Sequence, residues 1–286
     1  MFNPTRPVIF LIIIVLALMC YFVPFKPLSI LSALLLALIA IWIIVERKNP
    51  GFTNKLFKSF GKTTLKLNGK NFDLSAPTAD VEIKVTSTSP YALLDNEEIP
   101  LIEDIEIERD SKNIKKITIF LNENIDNIKV SLITGDLSIS DLNAIKLEAQ
   151  AVSGDVRLYN VRATDVNAKS VSGDVEVNRS KANTIVSAST SGDCNVNNST
   201  ALKIKSSTIS GDIEVVAAFI SCELSSTSGD INIITKDRGY SVSIGSTSGS
   251  WTFFERSGKG HYEEKGSEEY LIKANTLSGS VKIIKG

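Results

Sequence analysis

A glycine recurs through the C-terminal half of the chain at Gly135, Gly154, Gly173, Gly192, Gly211, Gly229, Gly249 and Gly279, mostly within the tripeptide Ser-Gly-Asp. The first five are nineteen residues apart, and the next gaps are eighteen, twenty and thirty. A fixed period near twenty restricts the chain to a solenoid, because one short coil cannot bury its own apolar side and does so only by stacking on its neighbours. The architecture follows from this spacing, but the activity does not, since solenoids serve as scaffolds, adhesins and enzymes alike.

Aligned on the glycines, the coils place apolar residues in columns. Two residues after glycine stand Leu137, Val156, Val175, Cys194, Ile213, Ile231, Trp251 and Val281, and four after it Ile139, Leu158, Val177, Val196, Val215, Ile233, Phe253 and Ile283. Seven before it are Ile128, Leu147, Val166, Ile185, Ile204, Cys222, Val242 and Ile272, and five before it Val130, Ala149, Ala168, Ser187, Ser206, Leu224, Ile244 and Ala274. Alternation with a period of two predicts β-strands with one face buried. The inward set is odd before the glycine and even after it, so the backbone must turn a corner there. Glycine adopts positive φ without steric cost, and Ser and Asp side chains bond nearby amides, which suits a repeated tight bend. Three before the glycine the inward column is small (Ala151, Ser170, Ser189, Thr208, Ser226, Ser246, Thr276), so the coil narrows there. Polar stretches such as Asn178-Arg179-Ser180-Lys181 turn the chain on the opposite side. The expected C-terminal fold is all-β, a parallel β-solenoid of about eight coils of roughly nineteen residues each.

The units Ser153 to Val156, Ser172 to Val175, Ser210 to Ile213 and Ser228 to Ile231 read Ser-Gly-Asp-Val or Ser-Gly-Asp-Ile. From about residue 80 to 286 the chain resembles a bacterial and archaeal family of unknown function known as "putative adhesin", with relatives in Lia-type envelope-stress operons. The resemblance implies a β-solenoid at the cell envelope, with no catalytic residues.

Val8 to Phe25 and Leu28 to Val45 are apolar runs of eighteen residues, with Pro24, Lys26 and Pro27 at the turn between them. Each is long enough to span a hydrocarbon core of ~30 Å, which predicts a two-helix transmembrane hairpin ahead of the solenoid. A cleavable signal peptide is the alternative for the first run, but no small-residue cleavage site follows it. Arg47, Lys48, Lys55, Lys58, Lys62, Lys66 and Lys70 follow with no acidic residue between Glu46 and Asp73. The charge rule places this side in the cytoplasm, giving a two-pass cell-membrane protein with a cytoplasmic solenoid; an extracytoplasmic solenoid is the alternative. Phe52, Leu56, Phe57 and Phe60 oppose Lys55, Lys58 and Lys62 on a helical wheel, which suits a helix at an anionic membrane surface or a linker packed on the solenoid base. The expected domains are residues 1–46 for the hairpin, 47–63 for the basic amphipathic segment, 64–130 for a β cap or irregular first coils, and 131–286 for the solenoid.

With 286 residues and a formal net charge of −1, the chain exerts no general electrostatic pull on nucleic acid, and no nucleic-acid partner is expected. Cys20, Cys194 and Cys222 make no metal or redox motif; the last two occupy apolar columns as small hydrophobes. Asp136, Asp155, Asp174, Asp193, Asp212 and Asp230 should stack in a line, repelling by somewhat under ~1 kcal/mol per pair in water. Such a column either recruits cations or accepts hydrogen bonds from turn amides, and the repeat lacks the Gly-Gly-x-Gly-x-Asp unit of calcium β-rolls. His261 reads as a solvated loop residue. No groove of converging carboxylates is evident in the outward column Arg157, Glu176, Asn195, Glu214, Asn232, Thr252 and Lys282. No cofactor and no enzyme activity are expected.

These features predict a membrane-anchored, non-catalytic β-solenoid serving as an interaction or scaffolding module of the cell envelope. The bilayer and a protein partner, or self-association through the solenoid ends, are its expected partners. The alternatives are an exported adhesin-like surface binder, an accessory component of an envelope-stress response, and a polysaccharide-acting β-helix enzyme.

Overall fold

The computed structural model describes residues 61–286 apart from 103, 123, 124 and 237. Gly61–Gly286 forms one compact unit. Its described residues form twenty-two strands and one 3-10 turn, Ser111–Asn113. The fold-class expectation is corrected here. Among the described residues there is no α-helix, and no helix is long and apolar enough to cross a membrane. The two-helix hairpin and the two-pass membrane placement are thus not supported among the described residues, and the runs 8–25 and 28–45 on which they rest lie outside them.

Each rung of the solenoid has a strand before the glycine corner and another after it. Asn143–Ser153, Arg162–Ser172 and Lys181–Ala188 pair in parallel on one side, with Leu147, Val166 and Ile185 in register. Val156–Tyr159 and Val175–Asn178 pair on the other, with Val156, Val175 and Cys194 in register. The four inward columns meet between the two sides. Most of their members are wholly buried, and the least buried, Trp251 and Phe253, belong to the terminal rung. The dry interior is continuous, and burial at ~25 cal/mol per Å² of apolar surface is what drives its assembly.

The second corner, opposite the glycine, is turned by a residue in the left-handed region: Asp141 (φ 58°), Asn160 (φ 52°), Arg179 (φ 51°) and Asn198 (φ 52°). Asp and Asn enter this region more readily than other L-residues. Arg179 is held there by its neighbour, because its guanidinium lies 5.5 Å from the Tyr159 ring centroid and Nη1 donates to the Tyr159 hydroxyl at 2.7 Å.

Two features of the stack depart from the glycine count. Asn71–Thr78 pairs in parallel with Asn127–Thr134, and Asp80–Val85 pairs with Leu137–Ser140. Thr78-Ala79-Asp80 is thus a first corner without glycine. At the other end, Ser221–Ser228 pairs with Ser267–Ser278, and Tyr240–Phe253 lies beyond it. In space the corners run Ala79, Gly135, Gly154, Gly173, Gly192, Gly211, Gly229, Gly279, Gly249, so the described residues form nine rungs and the last in sequence sits eighth. At ~4.8 Å per rung the stack is roughly 40 Å tall.

Further strands cover both ends, antiparallel except for Lys116–Leu121, which lies parallel to Asp80–Val85. Lys62–Asn68 lies on Asn71–Thr78, with Ile105–Asp110 outside it. Lys116–Leu121, Tyr91–Leu94 and Glu97–Pro100 extend the other side. Arg256–Glu264 runs back along Tyr240–Phe253 from Val242 to Phe253, breaking register between Ser246 and Ser250 where the corner intervenes.

Candidate functional site

The glycine corners form one column, and the reason for glycine is chiefly the approach of successive rungs. A Cβ built on Gly173 would stand 2.2 Å from the Gly154 carbonyl oxygen, and one on Gly192 would stand 2.2 Å from that of Gly173. The same overlap recurs up to Gly249, whose neighbour is Gly279. Left-handed φ adds a second requirement only at Gly135 (123°) and Gly154 (142°). Ala79 begins the column: its carbonyl is the one that Gly135 meets, and on the other side its rung pairs with Lys62–Asn68 and Lys116–Leu121 instead of a further glycine corner.

The aspartates form a second column beside the first. Asp155 N–H donates to Asp136 Oδ1 at 2.9 Å, Asp174 N–H to Asp155 Oδ1 at 2.8 Å, and Asp193 N–H to Asp174 Oδ1 at 2.8 Å. Asp212 and Asp230 continue the series at 2.7 Å each, and Asp80 begins it by accepting from Asp136 N–H at 3.0 Å. Each carboxylate therefore caps the amide that the next corner would otherwise leave unpaired. Arg157 bridges two of the remaining oxygens, meeting Asp136 Oδ2 at 3.3 Å and Asp155 Oδ2. Among the described residues, no group of three or more His, Cys, Asp or Glu side chains is placed to hold a metal ion.

A third column completes the corner from inside. Ser170 Oγ donates to the Gly154 carbonyl at 2.8 Å, Ser189 to Gly173 at 2.8 Å, Thr208 to Gly192 at 2.9 Å, and Thr276 to Gly229 at 2.9 Å. Where the small residue three before a glycine carries a hydroxyl, that hydroxyl therefore has a task. Ala151 occupies the same column in register with Ser170 and has no hydroxyl to offer.

The other candidate residues are dispersed. Lys62 lies in the first described strand, paired with Glu108 at 2.6 Å; Phe52, Lys55, Leu56, Lys58 and Phe60 lie outside the described residues. Cys194 and Cys222 are buried and unlinked; burial pushes the Cys194 thiol up to about 11 and raises Cys222 as well. His261 is exposed in the end-covering strand, 3.0 Å from Glu263. Trp251 stacks on Tyr262 at 4.3 Å, closing the terminal rung with Phe253 and Phe254. A shallow open groove beside them is lined by Ser225, Gly245, Asn275, Leu277 and His261.

One surface feature escapes the sequence reading. Two residues before each glycine the side chain points outward, yet Val152, Val171, Ile209 and Leu277 stand there with 49, 49, 55 and 55% of their surface exposed. Thr190, Thr227 and Thr247 fill the intervening positions, so a β-branched and aliphatic row follows the glycine edge. Reading the outward columns as well as the inward ones would have found it.

No curated protein matches this chain. Among solved structures it is similar to a "putative adhesin" from Bacteroides fragilis NCTC 9343, with 17% identity and a TM-score of 0.46 over 78% of this chain and 97% of that one. It is also similar to a "putative cell adhesion protein" from Clostridium sporogenes ATCC 15579, with 13% identity and a TM-score of 0.19 over 79% of this chain and 99% of that one. The family model described as Toastrack DUF4097 matches residues 63–284, which takes in nearly all of the described strands, and the chain belongs to that family.

Proposed function

We propose that the solenoid is a non-catalytic interaction module that binds a protein partner along the aliphatic row beside its glycine edge. The observation that carries this reading is the exposure of Val152, Val171, Ile209 and Leu277 on a rigid ladder. Apolar side chains gathered in a line on a soluble surface mark contact sites more often than scattered ones do. The polar groups nearby have structural employment, since the aspartates cap amides and the inner hydroxyls cap glycine carbonyls. Neither set is left to position a substrate or move a proton. A place in an envelope-stress response, implied by the Ser-Gly-Asp-Val units, would require the row to engage a component of that response.

A photo-crosslinking side chain at Thr190 or Thr227 tests the reading in cells that make the protein. Crosslinks to a discrete partner are expected from these positions and not from Glu214 or Asn232 on the opposite side. The triple variant Val171→Thr, Ile209→Thr, Leu277→Thr uses the residue already found at alternate rungs, and should keep its melting temperature while losing those crosslinks. Equal crosslinking from both sides, no crosslinking from the row, or an unaffected triple variant would overturn the proposal.

A further inference from the structure

The eighth rung is an insert. Ser267–Ser278 and Val281–Lys285 enter between Ser221–Thr235 and Tyr240–Phe253, which precede them in the chain. Each neighbour is already paired on its far side. Ser221–Ser228 pairs with Cys194–Ser210, and Tyr240–Phe253 pairs with Arg256–Glu264. Without the insert, the two would face each other across a space one strand wide, both with unpaired backbone edges and exposed inward columns.

The features lining this space specify their occupant. The Asp230 carboxylate, last in the aspartate column, accepts Ser280 N–H at 2.7 Å, and the Gly229 carbonyl accepts Thr276 Oγ at 2.9 Å. Ile272, Ala274, Val281 and Ile283 continue the buried columns. A glycine is obligatory at 279, where a Cβ would lie 2.1 Å from the Gly229 oxygen. The insert joins the end-covering strand through only Lys265 and Gly266, between strands ending at Glu264 and beginning at Ser267.

We propose that this slot is a binding site for an extended segment in trans, and that the occupant is the C-terminal rung of a second copy, giving a reciprocal strand-exchanged dimer. The contacts made by residues 267–286 are identical whichever copy supplies them, so exchange changes only the two-residue hinge. Strand addition at a sheet edge draws its affinity from main-chain bonds and its specificity from alternate side-chain pockets; here a strand would meet two edges at once. The inserted rung carries Leu277 of the aliphatic row on its outer face, but the slot is filled by its inward side chains and backbone edges, so this inference stands or falls separately from that reading.

The experiment uses full-length chains in a Cys20→Ser background. Ser225 and Asn275 are exposed register partners across the slot, close enough in parallel strands for a disulfide. The double variant Ser225→Cys, Asn275→Cys should form an intramolecular disulfide when dilute, which checks the register. Mixing the single variants should yield a covalent dimer joined between 225 and 275, rising with protein concentration. A Ser225→Cys and Ser138→Cys mixture should not. In a second arm, a labelled peptide of residues 267–286 should enter the wild-type chain, and the same peptide carrying Gly279→Ala should bind about a thousandfold more weakly, the ratio for loss of the four hydrogen bonds that cross this joint. Failure of the intramolecular disulfide, mixed dimers no more abundant than the control, or equal binding of the two peptides would each overturn the proposal.

Discussion

Gly173→Ala isolates the reason for the repeat. Gly173 does not occupy the left-handed region, so alanine meets no backbone penalty there and its whole effect comes from overlap. The added methyl carbon would lie 2.2 Å from the Gly154 oxygen and 2.5 Å from its carbonyl carbon, and neither can swing aside as a side chain would. Restoring an ordinary carbon–oxygen approach of about 3.3 Å needs the rungs to part locally by about 1 Å. Four hydrogen bonds cross that gap: Asp174 N–H to Asp155 Oδ1 (2.8 Å), Ser170 Oγ to the Gly154 carbonyl (2.8 Å), Gly154 N–H to the Ser172 carbonyl (3.2 Å) and Val156 N–H to the Asp174 carbonyl (2.9 Å). Lengthened by about 1 Å, all four pass out of bonding range, at about 1 kcal/mol each. The expected loss is about 4 kcal/mol, a large share of the 5–15 kcal/mol that holds a typical domain folded, and roughly 10 °C in melting temperature. Thermal and urea unfolding followed by β-sheet circular dichroism would measure it. Gly61→Ala, where nothing lies within 4 Å, and Ala79→Gly, at the start of the column, serve as controls and should change stability by under about 1 kcal/mol. A loss below about 1 kcal/mol for Gly173→Ala would refute the close-approach argument.

Ala151→Ser should stabilise by about 0.5–1.5 kcal/mol, because its hydroxyl would meet the Gly135 carbonyl as Ser170 meets that of Gly154; no gain in urea midpoint would contradict this. Ser187 Oγ donates to Ser206 Oγ at 2.8 Å within the buried interior, so Ser187→Ala should cost about 1–3 kcal/mol, and adding Ser206→Ala should cost little more or recover part of the loss. Additive losses in that double-mutant cycle would mean that the pair is not coupled. Glu223 accepts from Lys205 at 2.8 Å and Lys203 at 3.0 Å, which holds its carboxyl below the usual range. A depressed carboxylate contributes above its unfolded value and loses that contribution as pH falls through the folded one. Glu223→Gln should therefore be under about 1 kcal/mol less stable than wild type at neutral pH, with the difference closing in acid; a constant or widening difference would reject the assignment. In a Cys20→Ser chain, Cys194 and Cys222 should resist an aromatic disulfide reagent at pH 8 until denaturant is added, and prompt reaction of the folded protein would show that they are not buried.

Where packing constrains residue choice, the sequence is readable. The inward columns from Ile128 to Ile233 are legible because a strand with one dry side tolerates little but apolar or small residues at every second position. The first rung hides because its corner residue is Ala79: it begins the column and supplies the carbonyl that Gly135 meets, so the glycine period does not reach back to it. The eighth and ninth rungs exchange places without leaving a mark, because Cys222, Ile272 and Val242 share one parity and would align in either order. Spacing registers a rung against the stack and does not say which neighbour it meets. Of the candidate site, the glycine and aspartate columns could be numbered from the repeat, yet the pairing of Ser170 with Gly154 needed coordinates, since it links residues sixteen apart across a corner. The aliphatic row was passed over because burial, which disciplines the interior, exerts no such pressure outside it.

Each corner offers the same carboxylate upward and receives the same amide from above, so every joint between Gly154 and Gly211 is interchangeable with the next. Length in this fold is consequently a separable dimension. Duplicating the nineteen residues 155–173 would add one more storey of about 4.8 Å while leaving the two terminal coverings as they are. Evolution or an engineer can set how far one end stands from the other by counting units, as on a ruler.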